Sequence, residues 1–390
     1  MIFTHRKILI LLFTILIMSC QSKKIDNDAF NIIKIDIDNI SKESINDWFD
    51  SIELIPLAST NNSFIKEVCK ITKFNNNYYI LDNWLHTVFI FDSIGDYINS
   101  TQHLKGAGPN EYVSLIDFDI DKSNGNLHIL DPVSHKIRIY DRNLSPIVSS
   151  NINSKMLPLQ YFKHIKDSLY IFYCPARETG EPAIKFYTTK GEKILKKEMP
   201  TVIKEAAYLP NTQYSPFYEF NDNLIFTQKY PNNEAFKIDT KKLLVKKYLR
   251  YDFNEHTFNL ESLKELKSKN LDDYTNYIES NNKDKCFVFT KNENNLHQFI
   301  SVYYKHCMYI IKYNKETKEN KVIINDYSQN GSLGRAIFLD DDYYYCAANP
   351  EYIEILTNNE LLTKEAQTVL SQRKEDNNPI IIKYKLKKQI

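Results

Sequence analysis

The sequence predicts an all-β fold, a six-bladed β-propeller whose N- and C-terminal strands close the last blade, with two helical insertions. Three observations predict it. First, 80–92 ("ILDNWLHTVFIFD") and 129–141 ("ILDPVSHKIRIYD") align without a gap, so that Asp82 recurs as Asp131, His86 as His135 and Asp92 as Asp141, each 49 positions on. A period near fifty, made of short β runs between turns, is the signature of propeller blades. Second, 27 tyrosines and 22 phenylalanines mark a strand-rich composition, while only 8 glycines leave most turns to asparagine. Third, the last unit stops after two strands and the missing two lie elsewhere. "NPIIIKYKLK" (378–387) can supply the third strand, and "SIELIPL" (51–57), stray before the first blade, the fourth. Closure of that kind leaves no terminal blade face in water.

Taken in order, residues 1–20 read as a secretory signal peptide: Arg6 and Lys7 form the basic region and 8–18 the apolar one. The apolar run is short for a membrane-spanning helix. "IMSC" (17–20) resembles a lipobox, which makes Cys20 the lipidated first residue of the mature chain, held to a membrane by its lipid while the body stays outside the bilayer. The residues that follow, "QSKK", lack an acidic cluster, which places the anchor on the periplasmic face of the outer membrane rather than the cell surface. Residues 21–50 are expected to be a tether with room for one strand, and 51–390 the propeller. Two stretches break the β pattern, 258–282 with Leu260, Leu263 and Leu266, and 349–378 with Leu361, Leu362, Ala366, Val369 and Leu370. Their spacing predicts helices.

The sequence "GAGPNEY…IDFDID…LHILD…KIRIYD", with the leading "IELIPL" and closing "NPIIIKYKL", resembles the six-bladed propeller lipoproteins of Bacteroidetes, relatives of NHL and TolB-like propellers. The resemblance implies fold and compartment; it implies little about activity, since fold does not fix function.

No motif for chemistry stands out. The net charge of +1, with acids and bases interspersed, gives no footprint for nucleic acid. Beyond Cys20, Cys69, Cys174, Cys286, Cys307 and Cys346 lack CxxC spacing and are expected to be buried free thiols. The glycine-bearing loop 103–121 has neither the lysine nor the helix of a phosphate-binding loop. It reads as the joint between blades one and two, with Gly106 and Gly108 turning the backbone, Pro109 stiffening it, and Glu111 and Tyr112 following. Asp117, Asp119 and Asp121 fail the EF-hand pattern, since Lys122 and His128 stand where glycine and glutamate are required. Neither a metal nor any other cofactor is expected.

In a four-stranded meander, the second-to-third turn and the link to the next blade leave from one rim. That rim collects Trp84, His86, His135, Arg177, Glu178, Tyr230 and His306 as candidate ligand contacts, aromatic and charged groups on loops. The expectation is a membrane-anchored binding or scaffold protein for a glycan, peptide or protein partner. The alternative is a rim-sited lyase or hydrolase of the streptogramin-lyase or lactonase kind, metal-assisted through His86 and His135.

Overall fold

The computed structural model describes residues 29–174, 181–200, 215–228, 232–259, 262, 271–281, 283–328 and 330–388. Residues 1–20, read above as a signal peptide ending at Cys20, and the candidates Arg177, Glu178 and Tyr230 lie outside them.

The chain enters through β1 (Asn31–Lys34), β2 (Ser41–Lys42), the single turn α1 (Ile45–Trp48) and β3 (Phe49–Pro56). Blade 1 is β4 (Lys70–Phe74), β5 (Asn77–Asp82), β6 (Thr87–Phe91) and β7 (Tyr97–Ser100). Blade 2 is β8 (Asp117–Ile120), β9 (Leu127–Asp131), β10 (Lys136–Tyr140) and β11 (Pro146–Asn151). Blade 3 is β12 (Tyr161–Lys166), β13 (Leu169–Tyr173), β14 (Pro182–Thr188) and β15 (Lys193–Pro200). Blade 4 is β16 (Phe217–Phe220), β17 (Asn223–Thr227), β18 (Glu234–Asp239) and β19 (Leu244–Asp252). The insertion helix α2 (Leu271–Asn281) precedes blade 5, which is β20 (Phe287–Glu293), β21 (His297–Tyr304), β22 (Cys307–Asn314) and β23 (Asn320–Asn325). Blade 6 opens with β24 (Phe338–Leu339) and β25 (Tyr343–Ala348), then passes through α3 (Lys364–Gln372) to β26 (Ile380–Leu386).

Every blade is an antiparallel meander, and blade 6 has the order β24-β25-β26-β3. Leu54 pairs with Ile382 and Ile52 with Tyr384, so strands from opposite ends of the chain close the ring. Residues on both sides of this pairing are buried apolar groups, among them Phe49, Ile52, Ile380, Ile382 and Tyr384. The rings of Phe49 and Tyr384 lie 5.0 Å apart, and those of Phe299 and Tyr344 5.1 Å.

Asparagine does the work at several hairpins. Asn75 and Asn76 (φ 47° and 63°) turn β4 into β5, and Asn221 and Asp222 (φ 46° and 57°) turn β16 into β17. Two successive positive φ angles make a type I′ turn, which matches strand twist and tolerates Asn and Asp better than other side-chain-bearing residues.

The stretch expected as a tether differs from that reading. From Asn31 onward it is part of the body. β1 runs parallel to β19 as a fifth strand on blade 4, and β2 runs parallel to β23 as a fifth strand on blade 5. The reason lies in "IIKIDIDNI": Ile33, Ile35 and Ile37 alternate with polar residues, and all three are buried with Leu249, Tyr251 and Phe253. A period of two puts the isoleucines on one face. Asp38 fastens the end of this run, 2.8 Å from His256 Nε2 and 2.8 Å from Lys305 Nζ.

At the joint between blades 1 and 2 the two glycines are not equivalent. Gly108 does not have a positive φ. The constraint falls on Gly106, where an added Cβ would sit 1.9 Å from Glu111 Oε2. That carboxylate is held in place by the Gly108 amide at 2.8 Å. Tyr112 is fully buried, its hydroxyl bonded to Thr101 Oγ1 (2.8 Å) and donating to the His86 carbonyl (2.8 Å). Arg138 and Tyr140 of β10 donate to the carbonyls of Pro109 and Asn110, both at 2.9 Å, pinning the loop to blade 2.

Candidate functional site

The rim that carries the second-to-third turns holds the described candidates, but mostly as turn residues. His86 and His135 sit at left-handed backbone positions (φ 46° and 53°) closing equivalent turns. Each turn is organised by the aspartate four residues earlier. Asp82 Oδ1 accepts from the Leu85 amide (2.9 Å) and Asp131 Oδ1 from Ser134 (3.1 Å). The His86 ring is directed at the next blade, its Nδ1 3.0 Å from the Leu115 carbonyl. Lys305 and His306 (φ 48° and 59°) form the two-residue turn from β21 to β22. Trp84 is 65% exposed, with Lys66 Nζ 4.1 Å above its ring. Neither of the two cavities described next is lined by Trp84, His86, His135 or His306.

The larger cavity, about 820 Å³, opens on the opposite rim, among the first-to-second turns of blades 2, 3 and 4. Its size is that of a small-ligand site. Inner strands β8 and β12 supply its charged wall. Asp119, fully buried, accepts from Lys163 Nζ (2.7 Å) with one oxygen and from the His164 amide (2.8 Å) with the other. Lys163 also meets Glu219 of β16 at 2.9 Å, and Lys122 pairs with the same carboxylate. Burial works against both charges. Even so, the two carboxylates hold Lys163 above the usual lysine range, and the lysines hold Glu219 down at about 2. These are ionised groups, fixed by one another at neutral pH.

Asp117 makes the same kind of link one step deeper. It pairs with Lys70 of blade 1 (2.8 Å) and accepts from the Phe162 amide of blade 3 (2.9 Å). The alternating acids of "DFDID" therefore join three blades, as the period of two allows. A second cavity, about 240 Å³, follows the ring axis between inner strands and is lined by Lys70, Lys163, Tyr218, Lys291 and Glu293. Burial drops Lys291 to about 7.

Asp121, His128 and His164 come together at the edge of the larger cavity. Burial, then the neighbouring His164, lower His128 to about 4, so its ring is neutral at pH 7. Sequence reasoning missed this trio because it spans two blades. Asp121 directly follows β8, His128 lies in β9 where it faces Asp119, and His164 lies in β12. The pairing of Asp119 with His128 across one hairpin was the signal available.

The rings of strands, their closure by β3 and the axial cavity define a six-bladed β-propeller. The family model described as "Domain of unknown function (DUF4934)" matches residues 30–385, and the chain belongs to that family. A Bacteroides fragilis protein described as exported has a similar structure, with TM-score 0.70 at 18% identity over 92% of this chain and 100% of that one. A member of the DUF4221 family from Bacteroides vulgatus gives TM-score 0.54 at 12% identity, over 87% and 98%. Both likenesses show the shared fold. Comparison with curated proteins finds no match.

Proposed function

We propose that this protein is a lipid-anchored component of the cell envelope that binds an extended peptide segment of a partner protein along the outer edge of blade 2, over the 820 Å³ cavity. The observation that carries the reading is β11. It is the edge strand of its sheet, and Ile147 and Val148, about half exposed, line the cavity. Blades 4 and 5 each accept a further parallel strand from the chain itself, β1 and β2. A blade edge in this ring thus accommodates a fifth strand, and strand addition to an open edge is a general mode of peptide recognition. Lysines and acids of both signs in the lining, such as Lys166 and Asp222, suit the charges of a peptide. The basic, apolar and Ser19-Cys20 segments of the N-terminus support export and lipidation. The Bacteroides fragilis protein described as exported is consistent with that compartment.

A photo-crosslinking residue placed at Ile147 in cells is expected to capture a defined partner, and Val148→Lys to abolish the adduct. Adducts from Trp84 or His306 instead, with none from Ile147, would move the binding face to the opposite rim.

A further inference from the structure

We propose that Asp121, His128 and His164 form a binding site for a divalent transition metal, Zn²⁺ by its chemistry, on the wall of the larger cavity. One ligand atom from each lies within 4.8 Å of those of the other two. Two imidazoles and a carboxylate are a donor set that suits zinc, with a further position left for water or a ligand.

The hydrogen bonds leave the right atoms available. His164 Nε2 lies 3.0 Å from the Asp167 carbonyl. A carbonyl only accepts, so this nitrogen carries the proton and the lone pair falls on Nδ1. That nitrogen faces Asp121 Oδ2 at 4.0 Å, too far for a hydrogen bond. His128 Nδ1 lies 2.9 Å from the Tyr170 hydroxyl, which leaves Nε2 for the ion. Each imidazole thus has an outer partner that fixes its ring, the arrangement that supports metal-binding histidines. Asp121 Oδ1 is occupied by the Ser123 amide (2.9 Å) and hydroxyl (2.7 Å), which orient the carboxylate. Oδ2 takes the Asn124 side-chain amide (2.9 Å) and is the oxygen directed at His164.

Burial favours the ion as well. His128 is 2% exposed and the His164 side chain 4%, and their ring centroids are 4.4 Å apart. Two imidazoles packed this closely repel if both are protonated, while two neutral rings can share a cation. Metal bonds of about 2.0–2.2 Å place tetrahedral ligand atoms about 3.4 Å apart, so an ion draws the set inward by roughly 1 Å. All three residues also line the cavity, so the remaining coordination position has room for an exchangeable ligand.

The inference stands apart from peptide binding, because an ion is held or not held whatever occupies the edge of blade 2. Metal-stripped protein titrated with Zn²⁺ by calorimetry is expected to bind one equivalent and to gain thermal stability. Asp121→Asn should weaken binding at least ten-fold, and His164→Gln further, with unchanged far-ultraviolet dichroism. His86→Ala with His135→Ala should bind as the parent does. Cobalt bound to the parent should show visible ligand-field bands without the thiolate charge-transfer band that cysteine would give. Failure of the parent to bind Zn²⁺ would overturn the proposal, as would undiminished binding by both folded site variants. A thiolate band in the cobalt spectrum would do the same, and it is read on the parent, so the proposal can fail even where a variant does not fold.

Discussion

Asp82 and Asp131 occupy the same place in successive blades and make the same two connections. One carboxylate oxygen closes the local turn, and the other takes backbone amides from the segment entering the inner strand of the same blade. For Asp82 these are Lys66 (2.7 Å) and Glu67 (3.1 Å); for Asp131 it is Val113 (3.0 Å). Both aspartates are fully buried. The repeat that reveals the blades is therefore a repeat of fasteners.

Removal of Asp131 leaves the Val113 and Ser134 amides without their acceptor and takes away the carboxylate that lies 3.6 Å from the buried Arg138 Nε. Asp131→Ala is expected to cost on the order of 3 kcal/mol, while His135→Ala, at a turn position, should cost under about 1 kcal/mol. Urea denaturation of the two variants checks the order; equal losses would assign the repeat to the histidines.

Ring closure predicts that a substitution near the N-terminus weakens the whole domain. Ile52 is fully buried in the cluster that includes Ile382 and Tyr384. Ile52→Ala should cost about 2–4 kcal/mol and lower a single cooperative melting transition. Deletion of 51–57 should leave the protein insoluble or molten. A deletion variant with an unaltered melting temperature would mean that β3 does not close the ring.

Gly106 and Gly108 should respond differently to alanine. Gly106→Ala drives a methyl group into the Glu111 carboxylate and is expected to cost about 1–3 kcal/mol. Gly108→Ala meets Glu111 at 3.0 Å and should cost less. Glu111→Ala should recover part of the Gly106→Ala loss, which a double-mutant cycle measures.

Acid should destabilise the fold over a defined window. Burial lowers both His128 and His297 to about 4, against an ordinary value of about 6.5. Between those values the unfolded chain binds the extra protons, so stability is full above pH 6.5 and falls as pH drops towards 4. The loss should be on the order of 1–3 kcal/mol per histidine. Chemical denaturation at pH 7 and pH 4.5 measures it, and His297→Gln should flatten the slope by about one proton.

Cys20→Ala should release the protein from the membrane fraction, read by radiolabelled-lipid incorporation and fractionation. Continued lipid labelling of that variant would refute lipidation at Cys20.

Much of the fold was legible because blades repeat. The match of 80–92 with 129–141, 49 positions on, exposed blades 1 and 2, and the two orphan strands disclosed the closure. The positions of β1 and β2 were less legible, since each is added parallel to a distant strand and has no adjoining turn or repeat partner. Only the alternation of Ile33, Ile35 and Ile37 marked the first of them. At the level of sites, the looped rim drew attention because its histidines recur, yet the recurrence reflects turn geometry. The Asp121, His128 and His164 trio has no fixed spacing, since His164 reaches it from a neighbouring blade.

The pairing of β3 with β26 has a consequence for biogenesis. β3, synthesised before the first blade, waits for β26, synthesised after the rest of the sixth, so the ring locks only when nearly all of its strands have been made. A chain truncated before Ile380 would present the unpaired strand Phe49–Pro56 and an open sixth blade to proteases. The clasp thus couples folding to synthesis through the sixth blade: only a copy that carries both strands becomes a protected one.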